Sequence, residues 1–295
     1  MYNHIAFSPR ASLALTGMCI QQMGIWETIG QQVTIKQKVI THTPLEKLQD
    51  AFINIMAGGH GLVEVNHRVR PDLGLLQALG RRCSAEQSTI SDTLNRCSEE
   101  NVDQMRAALQ TIYRQYGQGY AHHYGQGWQL LDVDMTGMPA GRQGEGVEKG
   151  YFAKQKNKRG RQLGRVVATR YDEIVTERLY RGKIQLNRSL RQLVQDAESV
   201  LGLNPGFRRR TILRVDGGGG SDKDINWLLS RHFHILVKVK NWRRAEKLCR
   251  SVTTWHPDPK ISNREVGWVE QPHGYDQPTR QLGIRTLKQN GQWRY

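Results

Sequence analysis

The stretch Arg210–Leu229, RTILRVDGGGGSDKDINWLL, decides how the chain is read. Ile212, Leu213 and Val215 make a short apolar run of strand-forming residues, and the run ends on an acid, Asp216. Four glycines follow, Gly217 to Gly220, and then a segment in which Ile225, Leu228 and Leu229 recur at helical spacing. Ser221 or Asp222 caps that helix, because a short side-chain oxygen satisfies a free N–H of the first turn. A strand that ends on a carboxylate and opens into a glycine loop has two readings. It is a turn acid before a flexible loop, or a rigidly placed carboxylate beside a loop that lets a phosphate backbone approach without side-chain clash.

The charge balance favours the second reading. The chain of 295 residues has 43 Lys and Arg against 27 Asp and Glu, a formal net charge of +16. Such an excess suits a polyanionic partner, nucleic acid above all, because each contacted phosphate releases counterions. The length suffices for about two domains, and 38% hydrophobic content supports packed cores. No window is long and apolar enough to span a membrane, and ASLALTGMCI (Ala11–Ile20) is too short and too interrupted for a secretion signal. Cys19, Cys83, Cys97 and Cys249 are scattered without a Cys-x-x-Cys, which reads as reduced thiols in a cytosolic protein. His122, His123, His232 and His234 have no metal-ligand spacing and are assigned structural roles.

The first part of the chain reads as helical from about residue 40. Ser84 and Gln87 have the spacing of a capping box, and Val102, Met105, Leu109, Ile112, Tyr113 and Tyr116 form an apolar stripe. SAEQSTISDTLNRC (84–97) is either a short helix presenting Ser, Thr, Asn and Arg to DNA or an ordinary amphipathic helix in a bundle. YGQGYAHHYGQG (116–127) breaks the pattern and marks a domain boundary. After it WQLLDVDMTG (128–137) is a strand with Leu130, Asp132 and Asp134 on one face. A glycine-rich basic segment, 141–162, precedes two strands that turn near Asp172 and Glu173. Leu186, Leu190, Leu193, Val194, Ala197, Val200 and Leu201 then stripe a helix. The strand 208–216, the helix 221–232 and the strand FHILVKVK (233–240) complete the series. Strand, hairpin of two strands, helix, strand, helix, strand is the order of a ribonuclease H-like core, an α/β fold on a mixed sheet.

In that order the ends of the first and fourth strands lie side by side. Asp134 ends the one and Asp216 the other. Two acids held there repel, and a divalent cation between them is the cheapest relief. Hard oxygen ligands suit Mg²⁺ or Mn²⁺, and a metal pair about 4 Å apart activates a water or a 3′-hydroxyl against a phosphodiester. Asp132, one residue pair deeper on the same face, is a supporting metal ligand or a neighbour of the ligands. Lys154, Lys156, Lys158, Arg159, Arg161 and Arg165 fall between the first two strands, where they track phosphates of DNA. Arg208, Arg209 and Arg210 belong to the opposite end of the sheet as general surface charge. In KNWRRAEKLCR (240–250), Trp242 with Arg243 and Arg244 either stacks on and clamps a nucleic-acid strand or covers the sheet edge.

The pieces LLDVDMTG (130–137), GRVVATRYDEIVTERLYRGK (164–183) and RTILRVDGGGGSDKDINWLLSRHFHILVKVK (210–240) together resemble a DDE transposase of a bacterial insertion sequence, in the branch whose ribonuclease H-like core is interrupted by a β-rich insertion. The likeness spans roughly residues 35 to 290. It implies a mainly helical DNA-binding domain over 1–125, the catalytic core over 126–250 and a partial β-rich insertion over 251–295. It implies Asp134 and Asp216 as the first and second catalytic acids, Mg²⁺- or Mn²⁺-dependent cleavage and strand transfer at transposon ends in double-stranded DNA, a homo-oligomer, and a cytoplasmic, nucleoid-associated location. Two departures accompany it. Four glycines follow Asp216 where the family more often has a small residue, Gly and an aromatic. The family's third acid is a Glu on a helix after the insertion, within a spaced Tyr, Arg, Glu, Lys pattern, whereas Glu265 and Glu270 lie in a strand-like part. The expectation is a C-terminally truncated copy, poorly active or inactive in strand transfer. The rival readings are a non-catalytic DNA-binding remnant or inhibitor, and a haloacid dehalogenase-like phosphatase. In the latter, DVDMTG supplies Asp132 as nucleophile and Asp134 as acid/base.

Overall fold

The computed structural model describes residues 6–39, 41–152, 155 and 157–295. The chain forms two compact units that meet in sequence at Tyr116 and Gly117.

The first unit is helical: α1 (Ala11–Gln22), α2 (Ile25–Gln32), α3 (Pro44–Met56), α4 (Leu73–Ala78), α5 (Gln87–Asn95) and α6 (Glu99–Tyr116), with a π-helical turn at Val65–Val69. Helix begins well before residue 40. The sequence reading misses α1 because its residues carry no clear apolar stripe. α3 starts where local chemistry demands: the Thr43 hydroxyl accepts from the Glu46 N–H at 3.2 Å, the Glu46 carboxylate accepts from the Thr43 N–H at 2.7 Å, and Pro44 holds the first helical position. Ile53, Val65, Val69, Leu75, Leu76 and Ile90 are fully buried and make the core. The capping box read at Ser84 and Gln87 does not form. Glu86 stands at the start of α5 without a side-chain cap, and the Ser84 hydroxyl donates to the Ala85 carbonyl. One buried charge ties this unit together. Asp50 is fully buried, meets the Arg81 guanidinium at 2.9 Å and accepts from the Ala85 N–H at 2.7 Å.

The second unit carries a mixed sheet and a small antiparallel one. The strands of the first are β1 (Gln129–Pro139), β2 (Glu148–Lys149), β3 (Arg159–Ala168), β4 (Glu173–Arg181), β5 (Thr211–Val215) and β6 (His234–Val237). The strand order β4-β3-β1-β5-β6, with β3 antiparallel to β1 and β4 and with β1, β5 and β6 parallel, is that of a ribonuclease H-like core. β2 pairs with the Arg159 end of β3. The helices are α7 (Leu186–Leu201), α8 (Pro205–Arg208), α9 (Asp222–Ser230) and α10 (Trp242–Arg250). The second sheet runs β10-β9-β8-β7, from β7 (His256–Pro257), β8 (Arg264–Trp268), β9 (Leu282–Leu287) and β10 (Trp293–Arg294). Among the described residues no helix is long and apolar enough to cross a membrane.

Alternation along the strands sets the layers. Leu131, Val133, Leu213, Val215, Val166 and Ala168 are buried on one face, and α7 packs there through Leu190, Leu193, Val194 and Ala197. The β3–β4 turn passes through Asp172 at φ 55, a left-handed position that Asp tolerates. Two expectations are corrected here. β1 does not end at Asp134 but runs on to Pro139 against β3. Arg159, Arg161 and Arg165 lie on β3 itself, not in a loop before it.

A polar knot anchors the entry to β1. The buried His122 ring bonds the Tyr171 hydroxyl through Nδ1 at 2.6 Å and the Gly127 carbonyl through Nε2 at 3.2 Å. A carbonyl only accepts, so Nε2 carries the proton and Nδ1 accepts from Tyr171. Burial lowers the imidazole's pKa below its ordinary 6.5, aided by Arg170 and His123 and opposed by the Gly127 bond. The neutral form is the folded one, so the contribution is complete above that ordinary value and is lost as pH falls below it. The denaturation midpoint of the second unit will drop between about pH 7.5 and 5.5, and His122→Gln will flatten that drop. An unchanged slope in the variant refutes this account of His122. In the first unit, Asp50→Ala leaves the buried Arg81 without its closest buried carboxylate, with Glu46 and His42 as its remaining partners, and is expected to cost about 3–5 kcal/mol in urea unfolding.

Candidate active site

The acids are placed by strand register. β1 and β5 pair in parallel with Asp132 opposite Arg214 and Val133 opposite Val215. One step further, Asp134 and Asp216 occupy matching positions. Both lie on the face opposite the buried Leu131, Val133, Leu213 and Val215. The paired register ends at Val133 and Val215, and Asp134 and Asp216 are the residues that follow, Asp134 within β1 and Asp216 capping the turn after β5. Asp134 therefore sits where β5 leaves β1, while β1 continues along β3. Both acids are exposed. An Asp134 oxygen accepts from the Met135 N–H at 2.7 Å. An Asp216 oxygen accepts from the Gly218 N–H at 2.7 Å, capping a 3₁₀ turn at Gly217–Gly219. Among the described residues the other oxygen of each accepts no hydrogen bond.

Asp132 has different company. One of its oxygens is held by the Arg214 guanidinium, and the other is buried without a hydrogen-bond partner. The cation beside it works against metal ligation by Asp132. On the other side of β1, Arg165 stands opposite Asp134 and bonds Glu177 at 2.8 Å.

Two carboxylates with one free oxygen each suit a hard divalent ion, which keeps waters and takes phosphate oxygens in its remaining positions. Among the described residues no group of three or more His, Cys, Asp or Glu side chains converges to hold a metal. The donor set gathered here is two carboxylates, and the residues fit Mg²⁺ or Mn²⁺ in that manner.

The glycines after Asp216 have a packing reason that the sequence reading did not contain. A Cβ on Gly220 would stand 2.4 Å from the Lys238 carbonyl oxygen, and one on Gly219 would stand 2.5 Å from a Val215 methyl. Both residues are buried. Bare backbone there lets the turn after β6 close onto the loop, and only Gly217 and Gly218 are partly open to a ligand.

The other residues singled out in the sequence are dispersed. Lys158 is exposed in the turn before β3; Lys154 and Lys156 lie outside the described residues. Trp242 is 67% exposed, and the Arg243 guanidinium stacks over its ring at 5.4 Å. Arg244 is engaged: it bonds Asp222 at 2.5 Å, and Asp222 also meets His273 Nε2 at 3.2 Å. The Arg244 bond, with help from His273, holds the Asp222 carboxyl below the usual carboxylate range. Sequence reasoning passed over Lys183, Arg188 and Lys240, which bound a concavity beside Gly218. Lys183 and Arg188 lie five residues apart and Lys240 joins them from after β6, a grouping that no local spacing signals.

No protein-family model and no curated protein matches the chain. Among solved structures it is similar to the piggyBac transposase synaptic complex with hairpin DNA, at 11% identity and TM-score 0.43, over 93% of this chain and 59% of that one. The chain thus spans about 59% of that structure's length. It is also similar to a pre-cleavage Mos1 transpososome, at 10% identity and TM-score 0.25, over 69% of this chain and 62% of that one. A Mos1 mariner paired-end complex with Mn gives 10% identity and TM-score 0.26, over 74% and 67%. Likenesses of this size carry no argument, and the fold assignment rests on the strand order itself.

Gly220→Ala is expected to force the Lys238 turn away from the loop and to cost about 1–3 kcal/mol. Thermal melting checks it, and an unchanged midpoint contradicts the close-packing account.

Proposed function

We propose that the protein is a DNA transposase of the DDE class, with Asp134 and Asp216 as two of its metal-binding acids. The observation that supports this reading is the parallel register of β1 and β5, which ends at Val133 and Val215, with the exposed Asp134 and Asp216 as the next residue of each. A divalent ion bound by them would activate a water or 3′-hydroxyl and stabilise the leaving oxygen of a phosphodiester. The chain's own contribution is to hold the two carboxylates rigidly, to leave an oxygen of each free, and to keep Arg165 and Arg214 in ion pairs close by. Asp132 acts in this reading as the partner that orients Arg214.

The finer parts of the reading follow the resemblance. The substrate is double-stranded DNA at the ends of a bacterial insertion sequence, bound with Mg²⁺ or Mn²⁺ by a homo-oligomer in the cytoplasm, at the nucleoid. The helical first unit contributes DNA binding. Lys158, Arg159 and Arg161, together with Trp242 and Arg243, contact phosphates and bases. The strong positive charge supports a nucleic-acid partner.

A second reading is DNA binding without cleavage, which the net charge of +16 supports equally. The phosphatase reading is weaker, because the Asp132 it needs as nucleophile is tied to Arg214.

Purified protein with supercoiled plasmid and Mg²⁺ or Mn²⁺ separates these. Metal-dependent nicking is expected to fall at least about 100-fold in both Asp134→Asn and Asp216→Asn, with binding of a duplex retained. Even the supporting partners of metal ligands are worth about 10–100-fold. Salt-sensitive binding without nicking selects the non-catalytic reading, and absence of DNA binding overturns both.

A further inference from the structure

Beside the 3₁₀ turn that Asp216 caps lies an open concavity of about 420 Å³. Four stretches of chain converge on it. Tyr151 follows β2, Lys183 follows β4, Gln185 and Arg188 open α7, and Lys240 follows β6. Gly218, whose N–H bonds Asp216, forms part of its wall. No lining residue is acidic.

Close backbone packing fixes these positions. A Cβ on Gly150 would lie 1.9 Å from the Gly182 oxygen, one on Gly182 would lie 2.4 Å from the Gly160 oxygen, and one on Gly160 would lie 2.1 Å from the Met138 oxygen. Three bare residues thus let the ends of β1, β3 and the segments after β2 and β4 touch. Tyr151 and Lys183 are the residues immediately after two of them. Lys240 is brought in by the turn that Gly220 admits.

The electrostatics are unbalanced. Among the described residues Lys183, Arg188 and Lys240 form no ion pair, whereas Arg165, Arg178, Arg214, Arg231 and Arg244 each have an acidic partner. Glu148 accepts from the Lys183 backbone N–H at 3.4 Å, and Asp216 accepts from the Gly218 N–H. Three unpaired cations facing one hollow repel one another, and the arrangement becomes favourable when an anion enters. Tyr151, 73% exposed, offers a ring face at the rim, the kind of surface on which a sugar or base stacks. The hollow is open to solvent, which leaves room for a polymer over it.

We propose that this concavity is a phosphodiester-binding subsite: Lys183, Arg188 and Lys240 hold the backbone of the nucleic-acid strand presented to Asp134 and Asp216. The assignment rests on the DNA reading above and adds to it the residues that grip the strand.

The test is the salt dependence of binding to a short DNA duplex, followed by fluorescence anisotropy on the full chain. Lys183→Gln, Arg188→Gln and Lys240→Gln are combined in one variant. Arg209→Gln, Arg210→Gln and Lys260→Gln, all exposed and away from the hollow, form a charge-matched control. Each lost phosphate contact lowers the slope of log K against log salt by about 0.9, so the subsite variant should lose about 2 to 3 units and bind at least about tenfold more weakly. The control should lose less than about one unit. A second variant, Lys183→Arg with Lys240→Arg, keeps the charge and should keep the slope. Circular dichroism melts confirm that these surface changes leave the fold intact. Steep, salt-dependent binding by the unmodified chain with an equal slope in the subsite variant overturns the subsite and leaves the DNA reading standing. No binding by the unmodified chain overturns the DNA reading and the subsite together.

Discussion

The parallel pairing of β1 with β5 governs the rest of the second unit. Leu131 and Val133 on one strand and Leu213 and Val215 on the other are buried together under α7. A slip of one residue would turn an entire apolar set toward water, so the register is strongly specified. The acids have no part in choosing it, yet it determines them. With Val133 opposite Val215, Asp134 and Asp216 come next, on the face that the apolar residues leave free. β6 pairs with β5 in turn and carries Lys238 and Lys240 to the glycine loop, while β3 brings Arg165 opposite Asp134. The positions of the site's charges are consequences of an uncharged interface.

Net charge and available charge differ in this protein. Many arginines of the second unit are committed to carboxylates: Arg178 to Asp196, Arg208 and Arg231 to Glu198, Arg285 to Glu265. Partly exposed pairs of this kind contribute at most about 1 kcal/mol each. Their larger effect is to remove those cations from the field that an approaching polyanion meets. What remains is carried by lysines and by arginines such as Arg188 and Arg243. A sequence count of +16 announces a polyanion without saying where it lies; the ion-pair pattern narrows the place.

What could be read locally was read from local rules. The period of two in LLDVD and TILRV marks β1 and β5, Ser221 caps α9, and Asp172 takes the hairpin turn. The first half of β3 was hidden because its buried positions are Gly160, Gln162 and Gly164, which give no apolar alternation. The outer part of β1 was hidden for a related reason: beyond Val133 no residue is fully buried, and the half-buried positions are Met135 and Gly137, which give no apolar alternation. The matching placement of Asp134 and Asp216 was legible only through the inferred strand order. The close packing of Gly220 was illegible, since it depends on Lys238, which follows a different strand. The cations of the concavity were illegible, being neighbours only after four segments fold together.

Gly218 belongs to both charged features. Its N–H is bonded to Asp216, and its backbone walls the basic concavity. A single turn therefore separates a pair of carboxylates from a cluster of cations, close enough for each to act on the other's ligand. Two carboxylates alone leave most positions of a divalent ion to water, and such sites draw their remaining ligands from phosphate oxygens. Three unpaired cations alone hold a phosphate loosely in open solvent. On the proposed reading, a nucleic-acid strand across the turn would be held by Lys183, Arg188 and Lys240 and would bring phosphate oxygens toward the acid pair. Metal binding and DNA binding would then be coupled, on that reading, through the one capped glycine turn.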